Sequence, residues 1–464
     1  MSRASENGVS RASENGVSRA SANSVSGLRI VGAESLAGRR LRKRIAGRLA
    51  GVLDTKVEKA VRRIVAGICK GGDAALLEAA RRYDGFAADG ISDLRLAPLP
   101  EDRGWPNIAP EIRAAVELAL ANVERFHCAQ LSAGGEGFVV ESPGVTLREI
   151  VQPLARVGLY VPGGRASYPS TALMTVVPAR VAGVPEIAIA TPARTYLEQP
   201  VLRYTLARLG IEEIWGVGGA HAIAALAYGT ESVRRVDAIA GPGNAWVTAA
   251  KRLVAGAVAI DGLMGPSEVV VVAGEAADPE WVASDLLAQA EHDPRAAALL
   301  VTTSRRLAQR VAAAVARQLP SLSTAETAGA SLRAYGGVLV VGDLDAAVAL
   351  ADEIAPEHLQ LVGAEIEVRA AEFRNAGAVF VGARTPEVFG DYLAGPSHVL
   401  PTCGSARFAS GLSVENFRRR THRLEVHDTA TAERFAAAAA EFARAEGLPG
   451  HAAAAAIRQA RGAR

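Results

Sequence analysis

The chain has 464 residues, 49% of them hydrophobic and 22% charged, which is a globular composition too long for one hydrophobic core; roughly three domains are expected from length. Its formal charge of +2 offers no concentrated basic surface for nucleic acid. Cys69, Cys128 and Cys403 are odd in number and far apart, which excludes a disulfide framework and a cysteine-rich zinc site and fits a reducing cytoplasm.

In chain order, an octet comes first: Ser2-Arg-Ala-Ser-Glu-Asn-Gly-Val9 recurs at 10–17 and, degenerately, at 18–25. With few large apolar side chains it cannot offset the entropy of ordering, so 1–26 is expected to be disordered. Glu6 and Glu14, and the lack of an apolar segment, argue against a targeting peptide. Residues 27–55 are basic and helical in pattern, and read as a solvated helix face or a subunit contact. Helical text continues over 57–83 and 108–130.

From about Val151 the pattern becomes strand, glycine turn, helix. Strands are expected at 157–161, 186–190, 213–217 and 236–240, and a second series at 269–273, 298–302, 337–341, 359–362 and 378–381. Short apolar strands alternating with helices imply parallel α/β units. The longest apolar runs, such as 269–273, fall far short of the ~20 residues of a membrane span. The sharpest internal boundary lies near Gly265-Pro-Ser-Glu268. Past Leu412 strands are expected to cease, leaving Ala-rich helices at 429–445 and 451–461 that cannot hold a core of their own.

Three of the eight histidines stand beside acid or amide groups, in Gln289-Ala-Glu-His292, Glu357-His358 and Asp391-Tyr-Leu-Ala-Gly-Pro-Ser-His398. Imidazole, carboxylate and amide oxygen suit a divalent cation, and imidazole also moves protons near neutral pH. Gln289 and His292, three apart at a helix end, share a face; the alternative is a polar helix end in water. Glu357 and His358 sit at a strand entry, where neighbours point oppositely, so a base with a nearby activator suits them better than joint chelation. A capped turn with a surface Glu is the competing reading. Asp391 and His398 follow a strand, in a loop of the kind where α/β proteins place ligands. The turns Pro162-Gly-Gly164, Gly216-Val-Gly-Gly219, Gly241-Pro-Gly-Asn244 and Gly265-Pro-Ser267 admit a phosphate, but none is G-x-G-x-x-G, and ordinary tight turns explain them equally well.

Together, Val161-Pro-Gly-Gly-Arg-Ala-Ser-Tyr-Pro-Ser170, Gly218-Gly-Ala-His-Ala-Ile-Ala-Ala-Leu-Ala-Tyr-Gly-Thr-Glu231, Gly241-Pro-Gly-Asn244, Ala250-Lys-Arg252, Gly265-Pro-Ser-Glu268, Asp285-Leu-Leu-Ala-Gln-Ala-Glu-His-Asp293, Ala355-Pro-Glu-His-Leu359 and His398-Val-Leu-Pro-Thr402 resemble the histidinol dehydrogenase family from about residue 30 onward. The resemblance implies a zinc enzyme that oxidises L-histidinol to L-histidine through L-histidinaldehyde, using two NAD, in the cytoplasm. It implies zinc ligands at Gln289, His292, Asp391 and His451, and a base pair at Glu357 and His358. It places substrate contacts at Ser267, Gln289, His292, His358, Asp391, His398, Glu446 and His451, and cofactor contacts at Tyr160, His221 and Asn244. The family usually has Gln where this chain has His221. Cys403 stands where Gly is common.

The implied fold class is α/β, with two Rossmann-like parallel-sheet domains, one inserted in the other. A larger domain (56–159 and 267–404) would carry the base and zinc residues, and a second (160–266) the NAD side. Small helical arms, 27–55 and 405–464, would flank them. The family is a homodimer, and the C-terminal arm would reach the partner subunit's active site. Rival readings are a zinc/NAD alcohol dehydrogenase on another substrate such as sulfopropanediol, a zinc hydrolase using Glu357, and a non-catalytic binding protein. His398 and Glu446 favour histidinol over the first.

Overall fold

The computed structural model describes residues 28–48, 54–100, 105, 107–163 and 168–459; the octet repeats and the 164–167 part of the first glycine turn lie outside them. Two six-stranded sheets form the body. The first is parallel throughout, in the order Ile30–Gly32, Gly337–Val340, Ala297–Thr302, Glu268–Ala273, His358–Val362, Ala378–Val381. Its central strand is buried along its whole length, as expected of a parallel strand covered on both faces. Helix Pro279–Ala290 starts at Asp278, whose side chain accepts from the Glu280 N–H, with Pro279 at the first helical position. Helix Arg305–Gln318 is capped likewise by Ser304. Val271, Leu286, Leu300 and Val311 pack on one face of the sheet, and Val270, Leu299, Leu350 and Leu361 on the other.

The second sheet runs Arg95–Leu96, Glu213–Trp215, Glu186–Ala190, Arg156–Tyr160, Ala238–Ala240, Ala259–Ile260, parallel except for the first pair. Here the pairing departs from the expected domain boundaries. Arg156–Tyr160 lies at the centre of this sheet, and the segment before it packs here as well. Helix Thr55–Ala79 sets Val61, Val65, Ile68 and Leu76 against Ile223 and Val247. Helix Pro110–Gly134 sets Val116 and Val123 against Leu173 and Met174. Residues 56–159 therefore share a core with 160–266 rather than with 267–404, because their apolar helix faces are complementary to that sheet. The chain also returns to this core after the first sheet, through Val399, Leu412 and Val414.

The N-terminal arm holds a strand as well as a helix: Ile30–Gly32 forms the edge of the first sheet, and helix Leu36–Ala46 buries Leu41 and Ile45 against it. Strands do not cease past Leu412. Arg418–Val426 pairs antiparallel with Val145–Pro153 over nine residues, and Gly137–Ser142 completes a three-stranded sheet. The strand text Arg-Arg-Arg-Thr-His-Arg-Leu-Glu-Val has no apolar alternation because it is solvated on both faces, so pairing rests on the main chain and on ion pairs such as Arg420 with Glu149 at 2.8 Å. Helices Thr429–Ala445 and Pro449–Ala456 follow and pack on each other. Among the described residues no helix is long and apolar enough to cross a membrane.

Candidate active site between the two sheets

The loops after strands Arg156–Tyr160 and Ala238–Ala240, at the carboxyl ends of the second sheet, face the segments that enter strands Glu268–Ala273 and His358–Val362, at the amino ends of the first. Between them lies a cavity of about 470 Å³ whose walls include Pro162, Asn244, Ser267, His292, Glu357, His358, Asp391 and His398. Ligands at carboxyl ends are the general rule for open α/β sheets. The first sheet departs from it: helix Glu387–Tyr392 carries the chain back from strand Ala378–Val381, so Asp391 and His398 reach the opposite end.

Gln289, buried in the last turn of its helix, brings Oε1 to 3.2 Å from His358 Nδ1. His358 Nε2 is 3.4 Å from Asp391 Oδ1, and His292 Nε2 is 3.9 Å from Asp391 Oδ2. Three of the four expected ligands thus gather around one point beside His358. The fourth does not: His451 is exposed on helix Pro449–Ala456, Glu446 is exposed at the end of the preceding helix, and neither lines the cavity. Accordingly, no group of three or more His, Cys, Asp or Glu side chains able to hold a metal occurs among the described residues.

Glu357 and His358 lie on the same side, with Glu357 Oε2 at 3.8 Å from His358 Nδ1, although strand alternation would have parted them. The reason is local. The strand begins only at His358, and Ala355, left-handed at φ 50°, ends helix Leu344–Ile354 just before Glu357. Glu357 Oε2 accepts from the Glu268 N–H at 3.0 Å, which fixes the carboxylate. Burial pushes the Glu357 carboxyl up to about 7, against the attraction of His358. Burial disfavours the His358 imidazolium, but Glu357, Asp391 and Glu387 around it prevail and push it up to about 10. His358 Nε2 is buried without a hydrogen-bond partner, so an acceptor in the cavity would complete its N–H. His398 is oriented by its Nδ1–H, which donates to the Asp391 carbonyl at 2.8 Å, and its Nε2 lies 3.3 Å from Thr171 Oγ1.

A second cavity, of about 670 Å³, adjoins the first; Gly163 and Asn244 border both. Tyr160, His221 and Asn244, the three expected cofactor contacts, all line it, with Tyr83, Asp84, Arg194, Thr195 and Trp246. The turn that leads to Asn244 needs glycine. Gly241 sits at φ 118°, where a side chain would strike the Tyr160 main chain. Asn244 caps helix Ala245–Val254 by accepting from the Trp246 and Val247 N–H groups at 3.0 and 3.2 Å. Behind the loop, buried Lys251 is paired with Asp261 at 2.5 Å and also donates to the Gly241 carbonyl.

Two acids at these sites escaped the sequence reading. Glu387, fully buried, has its Oε2 3.9 Å from His358 Nδ1, and burial holds its carboxyl well above the usual range. Its spacing of four from Asp391 on one helix was a usable signal. Asp84 reaches the second cavity from 134 residues before Gly218, and no local pattern announces it.

Comparison with known proteins supplies a family. The histidinol dehydrogenase family model matches residues 50–459. A histidinol dehydrogenase of Moorella thermoacetica is 46% identical over 431 residues, 91% of this chain and 98% of that protein. One from a Synechococcus species is 45% identical over 403 residues, 87% of this chain and 92% of that protein. The crystal structure of the histidinol dehydrogenase from Elizabethkingia anophelis superposes with a TM-score of 0.78 at 32% identity, covering 87% of this chain and 92% of that one.

Proposed function

The chain belongs to the histidinol dehydrogenase family and is an oxidoreductase, and we propose that it oxidises L-histidinol to L-histidine through L-histidinaldehyde, with two NAD, as the last steps of histidine biosynthesis in the cytoplasm. The observation that carries this reading is the meeting of two adjoining cavities, one lined by the acid–base pair and ligand-type side chains, the other by all three expected cofactor contacts.

The donor set fits one Zn²⁺ per subunit: an amide oxygen, an imidazole nitrogen and a carboxylate, with no thiolate, from Gln289, His292 and Asp391. His451 would complete it from the C-terminal arm of a second copy, in keeping with its exposure and its absence from the cavity of its own chain. When bound, zinc supplies Lewis acidity and NAD the hydride acceptor, since zinc is redox-silent. The protein's own part is acid–base work. A base near His358, whose imidazolium is held by the surrounding carboxylates, takes the alcohol proton in the first oxidation. Glu357, raised toward neutrality and fixed by the Glu268 N–H, takes a proton from the water that attacks the aldehyde in the second. Ser267 and His398 line the same cavity, and His398 together with the arm's Glu446 suits an imidazole-bearing substrate.

The test is a purified-enzyme assay with histidinol and NAD, with and without a chelator, read at ~340 nm, the absorbance of reduced nicotinamide chemistry. Two NADH per histidinol, lost on chelation and restored by zinc, is the expected result. NADH formed from a sulfonated diol but not from histidinol would move the substrate to another alcohol. Chelator-sensitive hydrolysis without NADH would turn the reading into a hydrolase.

A further inference from the structure

The second cavity contains a buried hydrogen-bonded pair, of which the functional reading uses His221 but not its partner Asp84. His221, 1% exposed on the first turn of helix Gly219–Tyr228, places Nε2 at 2.8 Å from Asp84 Oδ2. The same oxygen accepts from the Gly218 N–H at 2.9 Å, which marks Asp84 as the acceptor in this arrangement. Gly218 has to be small here, since a Cβ would sit 3.0 Å from Asp84 Oδ1 and 2.8 Å from Pro192 Cγ. Asp84 ends a π-helical turn, Ala80–Asp84, and the neighbouring Tyr83 ring lies 5.9 Å from the imidazole. Among the described residues His221 Nδ1 has no hydrogen-bond partner.

We propose that Asp84 is a positioning residue for cofactor binding: its carboxylate holds His221 as the Nε2–H tautomer, so that Nδ1 offers the cavity a hydrogen-bond acceptor. A carboxylate carries only acceptors, so Nε2 must donate to it, and in a neutral imidazole the other nitrogen is then the acceptor. The group recognised is a donor on the dinucleotide, an amide N–H or a ribose hydroxyl. This differs from a glutamine at the same place, whose amide carries donor and acceptor together and needs no partner to choose between them. The inference rests on the second cavity being the NAD site.

The experiment is a binding cycle on the full-length, zinc-loaded protein without substrate, with NAD titrated by calorimetry and by quenching of Trp246, which lines the cavity. Asp84→Asn and Asp84→Ala are each made on the natural chain and on His221→Gln. On the natural background both Asp84 changes are expected to weaken NAD about tenfold; on His221→Gln they should weaken it less than about twofold, because the tautomer no longer matters. Equal losses on both backgrounds, or none on either, would overturn the role of Asp84 while leaving the cavity as the NAD site. Asp84→Asn preserves shape, so a misfolded Asp84→Ala protein does not spare the proposal. If the unaltered protein binds no NAD, the reading of the cavity and this inference fail together.

Discussion

The two sheets have the same strand count and nearly the same topology, yet they meet the site from opposite ends. The second presents its carboxyl ends, where glycine turns and a capped helix N-terminus leave main-chain N–H groups and space. The first presents its amino ends, where side chains of the entering segments converge: Glu357 and His358 at a strand entry, Gln289 and His292 at a helix exit. The difference teaches a division of labour. Backbone-rich ends suit holding a large polar cofactor, and side-chain-rich ends suit proton transfer and metal ligation.

That division can be broken by experiment, most sharply on the first sheet. His292→Ala should remove most bound zinc and lower the rate of histidinol oxidation about a thousandfold, as befits losing several kcal/mol of Lewis-acid stabilisation, with NAD binding by calorimetry unchanged. A parallel loss of NAD affinity would show that the two ends are not separable. Glu357→Gln should slow histidinaldehyde oxidation by about 10²–10⁴ while sparing the alcohol step, measured with each substrate separately. The reverse pattern would exchange the roles of Glu357 and His358.

Smaller effects concern support. Asp285 is buried under the first sheet's site, bound by the Gln360 amide at 2.7 Å, and burial pushes its carboxyl up to about 6. Because the folded value is raised, its neutral form favours folding: that contribution is complete below about 4 and is lost as pH rises through about 6. Asp285→Asn should therefore stabilise the protein by about 1–3 kcal/mol at pH 8 and by little at pH 4, read from urea midpoints. On the second sheet, Asn244→Ala removes a helix cap and a cavity wall at once. It should cost about 1 kcal/mol of stability and raise KM for NAD with kcat nearly unchanged.

Much of this was legible in the sequence for a physical reason: buried parallel strands are short apolar runs, and seven of the nine expected strands shift by at most one residue at either end. The other two, expected at 213–217 and 236–240, are each two residues shorter, ending at Trp215 and beginning at Ala238. The ribbon formed by Gly137–Ser142, Val145–Pro153 and Arg418–Val426 was not legible, because a solvated strand carries charge where the eye seeks alternation. The division of the chain between the sheets was missed for another reason. Which sheet a helix covers depends on complementary faces, and Val61 or Val123 would read alike in either body. At the site, residue types flagged Gln289, His292, Glu357, His358, Asp391 and His398, and the structure brings them together. The helix that returns Asp391 to the amino ends, and the reach of Asp84, are properties of tertiary closure.

Gly163 and Asn244 form a partition common to two chambers. A wall with two wet faces cannot be altered on one side only. Substitutions there should therefore show non-additive free energies between dinucleotide and substrate affinity, a mechanical coupling that needs no conformational switch to transmit it.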